Sequence, residues 1–130
     1  MSEVKDQLFY SKEHEWVEVI NENTIRIGIT DFAQSQLGDI VFVELPEIGA
    51  EVQAEASLGN IESVKTVSDL FAPVTGVVAK VNSTLLDQPE IVNSDAFGEG
   101  WMIELEIDAS AHEALKQLLT AEQYREYTAE

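Results

Sequence analysis

The chain has 130 residues, 45% of them hydrophobic, which suffices for one packed core and not for two full domains. Its charge is lopsided, with 7 Lys+Arg against 25 Asp+Glu and a formal net charge of −18. Seven scattered cations cannot neutralise a run of phosphates, and an anionic bilayer would repel the chain, so nucleic acids and membrane surfaces are excluded as partners; small molecules, cations and proteins with positive faces remain.

Residues 1–16 have neither the apolar centre of a secretory signal nor the Arg-rich character of a transit peptide. No later stretch approaches the ~20 apolar residues of a membrane span. The expected location is a bacterial cytoplasm, with a matured mitochondrial form as the alternative. Trp16–Ile20 and Thr24–Ile29 are β-rich runs separated by Asn21-Glu22-Asn23, a hairpin signal. In the second run Ile25, Ile27 and Ile29 fall on one face at period two. Thr30 is placed to cap a short helix that stops at Gly38. Ile40–Leu45 is almost continuously apolar and predicts a buried strand. Leu70–Phe71, Val77–Val81 and Trp101–Ile107 predict further strands. In the last, Trp101, Ile103, Leu105 and Ile107 face one way, and Glu104, Glu106 and Asp108 form a solvated edge. Ser110-Ala111-His112-Glu113 has capping-box spacing, with Leu115, Leu118 and Leu119 as the apolar stripe behind it. Thr120-Ala121-Glu122-Gln123 repeats that logic, and an acidic tail over 126–130 is expected to fray. Short strands with Gly and Pro at the turns predict an all-β fold, a flattened sandwich or barrel, with short peripheral helices including a C-terminal one. The expectation is a single domain over 1–130, with its core at about 8–125.

A weak internal repeat is also present. Gly38-Asp39-Ile40-Val41-Phe42-Val43 resembles Gly76-Val77-Val78-Ala79-Lys80-Val81, and each is followed by a Pro-bearing turn. Two copies fit a quasi-two-fold sandwich, and the midpoint between them falls on Val64-Lys65. A crossing between two packed sheets there would lie at the surface, because buried loop backbone would be unsatisfied. Local propensity alone makes Lys65 a solvated strand lysine, since Val-Lys is not one of the tight-turn pairs.

Several stretches in order carry a resemblance. His14-Glu15-Trp16, Gly28-Ile29-Thr30-Asp31, Gly38-Asp39, Val41-Phe42-Val43-Glu44-Leu45-Pro46, Glu62-Ser63-Val64-Lys65, Ser68-Asp69, Ala72-Pro73, Gly76, Val92-Asn93 and Gly100-Trp101 resemble the H-protein family of the glycine cleavage system. The resemblance runs from about Tyr10 to Tyr124. It implies the biotinyl/lipoyl carrier (hammerhead) fold, with lipoic acid in amide linkage on Lys65 at a hairpin tip. It implies a carrier rather than an enzyme, handing an aminomethyl group from the pyridoxal-phosphate glycine decarboxylase (P-protein) to the tetrahydrofolate-dependent aminomethyltransferase (T-protein). Dihydrolipoyl dehydrogenase (L-protein) would reoxidise the arm, and a lipoate ligase or lipoyltransferase would attach it. By the same resemblance Glu62 and Gly76 assist recognition by the attaching enzyme, and Glu15 and Asp69 line a cleft that shelters the loaded arm. Glu13 and Gln36 depart from the family pattern, which can have a small hydroxyl residue and a histidine there.

The residue types suit that chemistry. A lysine stem is a long flexible tether, and tethering replaces diffusion with a high effective concentration at each docked partner. The absence of cysteine removes a thiol that could exchange with a dithiolane. A biotin carrier is less well matched, because it favours Met on both sides of the lysine, where Val64 and Thr66 stand. The lipoyl domains of 2-oxoacid dehydrogenases favour an Asp-Lys-Ala context and Ala/Pro-rich linkers, absent here. An unmodified acidic docking module and a relay passing lipoyl groups to other carriers are the remaining alternatives. No P-loop, nucleophile elbow or paired histidine signals an enzyme.

Overall fold

The computed structural model describes residues 3–129. Nine strands fall into two sheets. The larger contains β1 (Phe9–Tyr10), β2 (Glu15–Asn21), β3 (Thr24–Ile29), β5 (Glu51–Val52), β8 (Gly76–Val81) and β9 (Ile103–Glu106), in the order β1-β2-β3-β9-β8-β5. The smaller contains β4 (Ile40–Glu44), β6 (Ser57–Ser63) and β7 (Val67–Phe71), in the order β4-β6-β7. Neither closes on itself, so the fold is a sandwich and not a barrel. Every pairing is antiparallel. One core is shared between the sheets: Ile25, Ile27, Val78, Ile103 and Leu105 of the larger meet Val43, Ile61 and Leu70 of the smaller.

The period-two run over β3 buries Ile25, Ile27 and Ile29 as expected. The hairpin before it turns at Glu22-Asn23, where the Asn21 side chain accepts the Asn23 N–H at 2.8 Å. Thr30 caps α1 (Asp31–Leu37) by accepting the Ala33 N–H at 3.1 Å, and Gly38 ends it with φ +84. That left-handed conformation is the reason a glycine stands there.

Other expectations are corrected. The apolar run Ile40–Leu45 is not wholly buried. A bulge inserts Val41 between Ile40 and Phe42, which leaves Val41 and Phe42 exposed while Ile40 and Val43 enter the core. Nor does β9 form a solvated edge, because it lies between β3 and β8. Glu104 is buried and paired across the sheet with Arg26, whose Nε and a terminal nitrogen donate to one carboxylate oxygen at 3.0 and 2.7 Å. Trp101 leaves the Ile103 face and stacks on that guanidinium at 4.8 Å. The helix α4 (Ala109–Ala114) is capped by Asp108, which accepts the Ala111 N–H at 2.8 Å, and not by Ser110. Asp competes well with Ser as a cap, and here it starts the helix two residues sooner. Leu118 and Leu119 lie beyond that helix; Leu119 instead bridges to Tyr10 as a strand partner.

Two short helices, α2 (Thr84–Asp87) and α3 (Ile91–Ser94), bury Leu85 and Val92. The C-terminal helix α5 (Ala121–Tyr127) opens with the expected Thr120/Gln123 capping box. It continues past the boundary set at 125. Tyr127 donates its hydroxyl to Lys12 O at 3.1 Å, and the Thr128 hydroxyl donates to Tyr124 O at 3.0 Å. Residue 130 of the expected frayed tail lies outside the described residues. Among the described residues no helix is long and apolar enough to cross a membrane.

Candidate functional site

Lys65 lies in the turn between β6 and β7. Both strands belong to the smaller sheet, so the chain folds back within one sheet rather than crossing between two. The turn is built without Asn-Gly because Ser63 supplies the missing contacts. Its hydroxyl oxygen accepts the N–H groups of Lys65 and Thr66 at 3.2 and 3.1 Å, and its own N–H donates to Thr66 O at 2.8 Å. A serine two and three residues ahead of two turn amides is a recognisable turn builder. That signal was present in Glu62-Ser63-Val64-Lys65-Thr66.

The tip is also tied to the body of the protein. Val64 N–H donates to Asp39 O at 3.0 Å. The Asp39 segment is itself held by Asn93 of α3, whose amide donates to Gly38 O and Gln34 Oε1 and accepts the Ile40 N–H, each at 2.8 Å. Asn93 therefore positions the hairpin indirectly, a role that sequence reasoning did not assign. With its backbone anchored, Lys65 keeps a free side chain. Among the described residues it takes part in no ion pair. Its stem passes beside Gly38, where an added Cβ would lie 3.7 Å from Lys65 Cε.

Glu62 and Gly76 lie in different sheets. Glu62 is half-buried in β6, opposite Phe42 on one side and Val67 on the other. Gly76 opens β8 and has no positive φ, so no left-handed turn calls for a glycine there. What requires glycine there is close packing, since a Cβ would sit 2.7 Å from Glu106 O.

A cleft of about 480 Å³ lies at the other end of β7. Tyr10, Ser11, Glu15, Glu55, Phe71 and Leu118 are among the residues that line it, and so is Lys12, its one cation. Glu15 is only 1% exposed. Its carboxylate accepts the Ser11 hydroxyl at 2.7 Å and the Phe71 N–H at 2.9 Å. Burial pushes this carboxyl up to about 7, against the opposing pull of those two hydrogen bonds. Asp69 is not on the cleft wall. It stands exposed on β7 between Val67 and Phe71, whose alternation puts all three on one face. That face leads from the Lys65 turn to the cleft, about 13 Å at the usual strand rise.

A polar cluster beside the cleft fixes His14, the residue that leads into Glu15 at the start of β2. The Tyr124 hydroxyl lies 2.8 Å from both His14 Nδ1 and Thr30 Oγ1. The Tyr124 ring stacks on Tyr10 with centroids 4.5 Å apart. His14 has φ +68, a strained backbone for a non-glycine residue, and burial lowers its pKa. Ser11, Phe71 and Tyr124 were not singled out from the sequence as site residues.

Arranged this way, the protein offers an unencumbered amine on a rigid hairpin and, one strand length away, a partly apolar recess with a carboxyl group poised to ionise near neutrality. Comparison with known proteins bears on what that pairing serves. The family model of the glycine cleavage H-protein matches residues 8–130. The glycine cleavage system H protein of Mycolicibacterium smegmatis is 53% identical over 126 residues, 96% of each chain. That of Mycolicibacterium vanbaalenii is 51% identical over the full length of both. The crystal structure of the glycine cleavage system H protein from Mycobacterium marinum superposes with a TM-score of 0.85 at 38% identity, covering 95% of this chain and 97% of that one.

Proposed function

The chain belongs to the glycine cleavage H-protein family, and from that premise we propose that it is the carrier of glycine cleavage, bearing lipoic acid in amide linkage on Lys65. The single observation that supports this most is the turn itself. Ser63 and Asp39 hold the backbone around Lys65 while leaving its side chain free of ion pairs. A lysine locked to an acid would resist both acylation and the swing of a finished arm.

The residues fit the group they would hold. The attachment point is exposed, and the recess at the end of β7 sets the carboxyl groups of Glu13, Glu15 and Glu55 among walls that include Phe71, Ala72, Pro73 and Leu118. When bound, the lipoyl dithiolane supplies a disulfide that takes up an aminomethyl group and two electrons. The chain's own residues would do the rest. The Ser63 turn presents the tether to each partner in succession. Glu15 receives the cargo's ammonium. A carboxyl with a pKa of about 7 is about half ionised at neutrality, and an arriving cation would complete its ionisation. The apolar walls limit water at the cargo. Asp69, on the face between tip and cleft, would guide the cation along β7. Glu62 and Gly76 would assist recognition by the attaching enzyme, Gly76 by preserving the strand packing on which the sheets depend.

In this reading the partners are the glycine decarboxylase that loads the arm, the aminomethyltransferase that unloads it, dihydrolipoyl dehydrogenase that reoxidises it, and a lipoate ligase or lipoyltransferase. The unit is one carrier domain spanning 1–130 and working in the cytoplasm, and it performs no catalysis of its own. Co-expression with a lipoate ligase should add one lipoyl mass at Lys65, mapped by peptide mass spectrometry. The product should support glycine–bicarbonate exchange by the decarboxylase. A chain left at its unmodified mass by a competent ligase would overturn the proposal.

A further inference from the structure

The outward face of the smaller sheet changes character along its length. In the row nearest the Lys65 turn, Phe42, Glu62 and Val67 stand side by side across β4, β6 and β7. Phe42 is 45% and Val67 58% exposed, and Val64 in the turn is 68% exposed. The β4 bulge adds Val41, turned out of the core at 52%. Four large apolar side chains thus lie exposed in the turn and on the two outer strands, and a bulge is a device for re-aiming a side chain. One row farther along, the face carries Glu44, Asn60 and Asp69. Between Arg26 and Lys80, Lys65 is the only basic residue in the chain. The surface therefore carries apolar side chains on either side of Glu62 in the row next to the lysine, and carboxylates on both outer strands one row farther along.

We infer that this patch is the docking surface for the enzyme that acylates Lys65, and that this enzyme meets it with apolar and basic groups. The inference rests on the carrier reading above and deepens it. Reach selects this occupant among the partners. Enzymes that use a finished arm act on the dithiolane at its far end. The attaching enzyme must bring an activated lipoyl ester to Nζ itself, at the end of a four-carbon stem. There the amine attacks the acyl carbonyl, the C–N bond forms, the bond to the leaving group breaks, and the amine proton passes to a base on the enzyme. An active site that closes on Nζ lies against the turn, where Val64 precedes the lysine and Val67 begins β7. Charge complementarity agrees, because the next row offers carboxylates on both outer strands.

The test is lipoylation of Phe42→Ser/Val67→Thr by an ATP-dependent lipoate ligase, followed by intact mass. Both side chains point outward, so the fold should survive; thermal unfolding checks this. We expect kcat/KM to fall at least tenfold, as for central interface residues, with most of the loss in KM. Val19→Thr/Ile20→Thr, on an exposed part of β2, should leave it unchanged. Calorimetry on Lys65→Arg, which docks but cannot be acylated, should show the same weakening when Phe42→Ser is added. Rates and affinities equal to the parent protein's would overturn the proposal. So would a loss confined to loading by the decarboxylase, or to self-association in sedimentation. A parent protein that no ligase modifies would sink the carrier reading as well, whereas a modified parent with an indifferent patch sinks only this one.

Discussion

The two ends of β7 treat charge in opposite ways. At the Val67 end, Lys65 is exposed and free of ion pairs, and order is confined to the backbone by Ser63 and Asp39. At the Phe71 end, Glu15 is buried and gripped by two donors, at the cost of a carboxyl group that resists ionisation below about pH 7. A tether must be free to leave, so little of the protein's stability is invested in its side chain. A recess for a cation must be dry to be selective, and dryness costs folding free energy that the cation can return. The two sites should therefore respond to mutation along different axes.

The sharpest contrast comes from Lys65→Arg. The guanidinium keeps the charge and the length but is not acylated, so the lipoyl increment should vanish entirely in intact-mass spectra. The unfolding free energy should stay within about 0.5 kcal/mol of the parent, because an exposed side chain without partners is replaced. A large destabilisation would show that the lysine has a structural role after all.

Glu15→Gln should act in the opposite sense, leaving lipoylation intact and changing stability. The ordinary carboxyl value is 4.5 and the folded one about 7. Between those values the folded state holds more protons than the unfolded state, so stability is greatest below pH 4.5, falls as pH rises toward 7, and then levels off. Glutamine can accept the Phe71 N–H and never ionises. The variant should match the parent near pH 4.5 and exceed it above pH 7 by on the order of 2–3 kcal/mol. His14, whose pKa is lowered by burial, contributes a slope of the other sign as pH falls through 6.5, and subtracting the two denaturation series cancels it. Equal pH profiles would mean that Glu15 is already ionised.

Ser63→Ala is a smaller perturbation at the tip. It removes the acceptor shared by the Lys65 and Thr66 amides, which face water and can be rehydrated, so a loss of about 1 kcal/mol is expected in urea titration. Lipoylation should slow without stopping, because the backbone bonds from Ser63 to Thr66 O and from Val64 to Asp39 O remain. This variant asks whether the turn or only the lysine is being recognised.

The strands, the Thr30 and Thr120 caps and the Gly38 stop were legible because each depends on local chemistry that a short window contains. The failures share a different cause. Glu104 seemed solvated because alternation says which face a residue takes, not whether Arg26 of a distant strand lies on that face. Phe42 seemed buried because a bulge leaves no mark in an apolar run. Lys65 could be named from family resemblance, and the repeat midpoint fell on it for a mistaken reason, since β6 and β7 share one sheet. What made the turn possible, the Ser63 hydroxyl, was in plain view one residue from Val64. The cleft depends on Phe71 meeting Glu15 across a separation of 56 residues, which no local pattern encodes.

Asp69→Asn probes the ground between the two sites. Asp69 is exposed on the face that joins them, so under the proposed role its carboxylate would act on a passing ammonium through water, and exposed pairs of this kind are worth at most about 1 kcal/mol. Such a figure corresponds to about fivefold in a rate. Lipoylation should be unchanged, while the aminomethyl-loaded protein, followed by formaldehyde release, should decay up to about fivefold faster. The effect should shrink as salt is raised toward ~1 M, where the screening length falls to about 3 Å. Glu15→Gln should shorten the same lifetime with little dependence on salt, because a buried charge is screened much less. If both variants lose their effect together in salt, the cargo never leaves the open face of β7, and the recess around Glu15 is not where it rests.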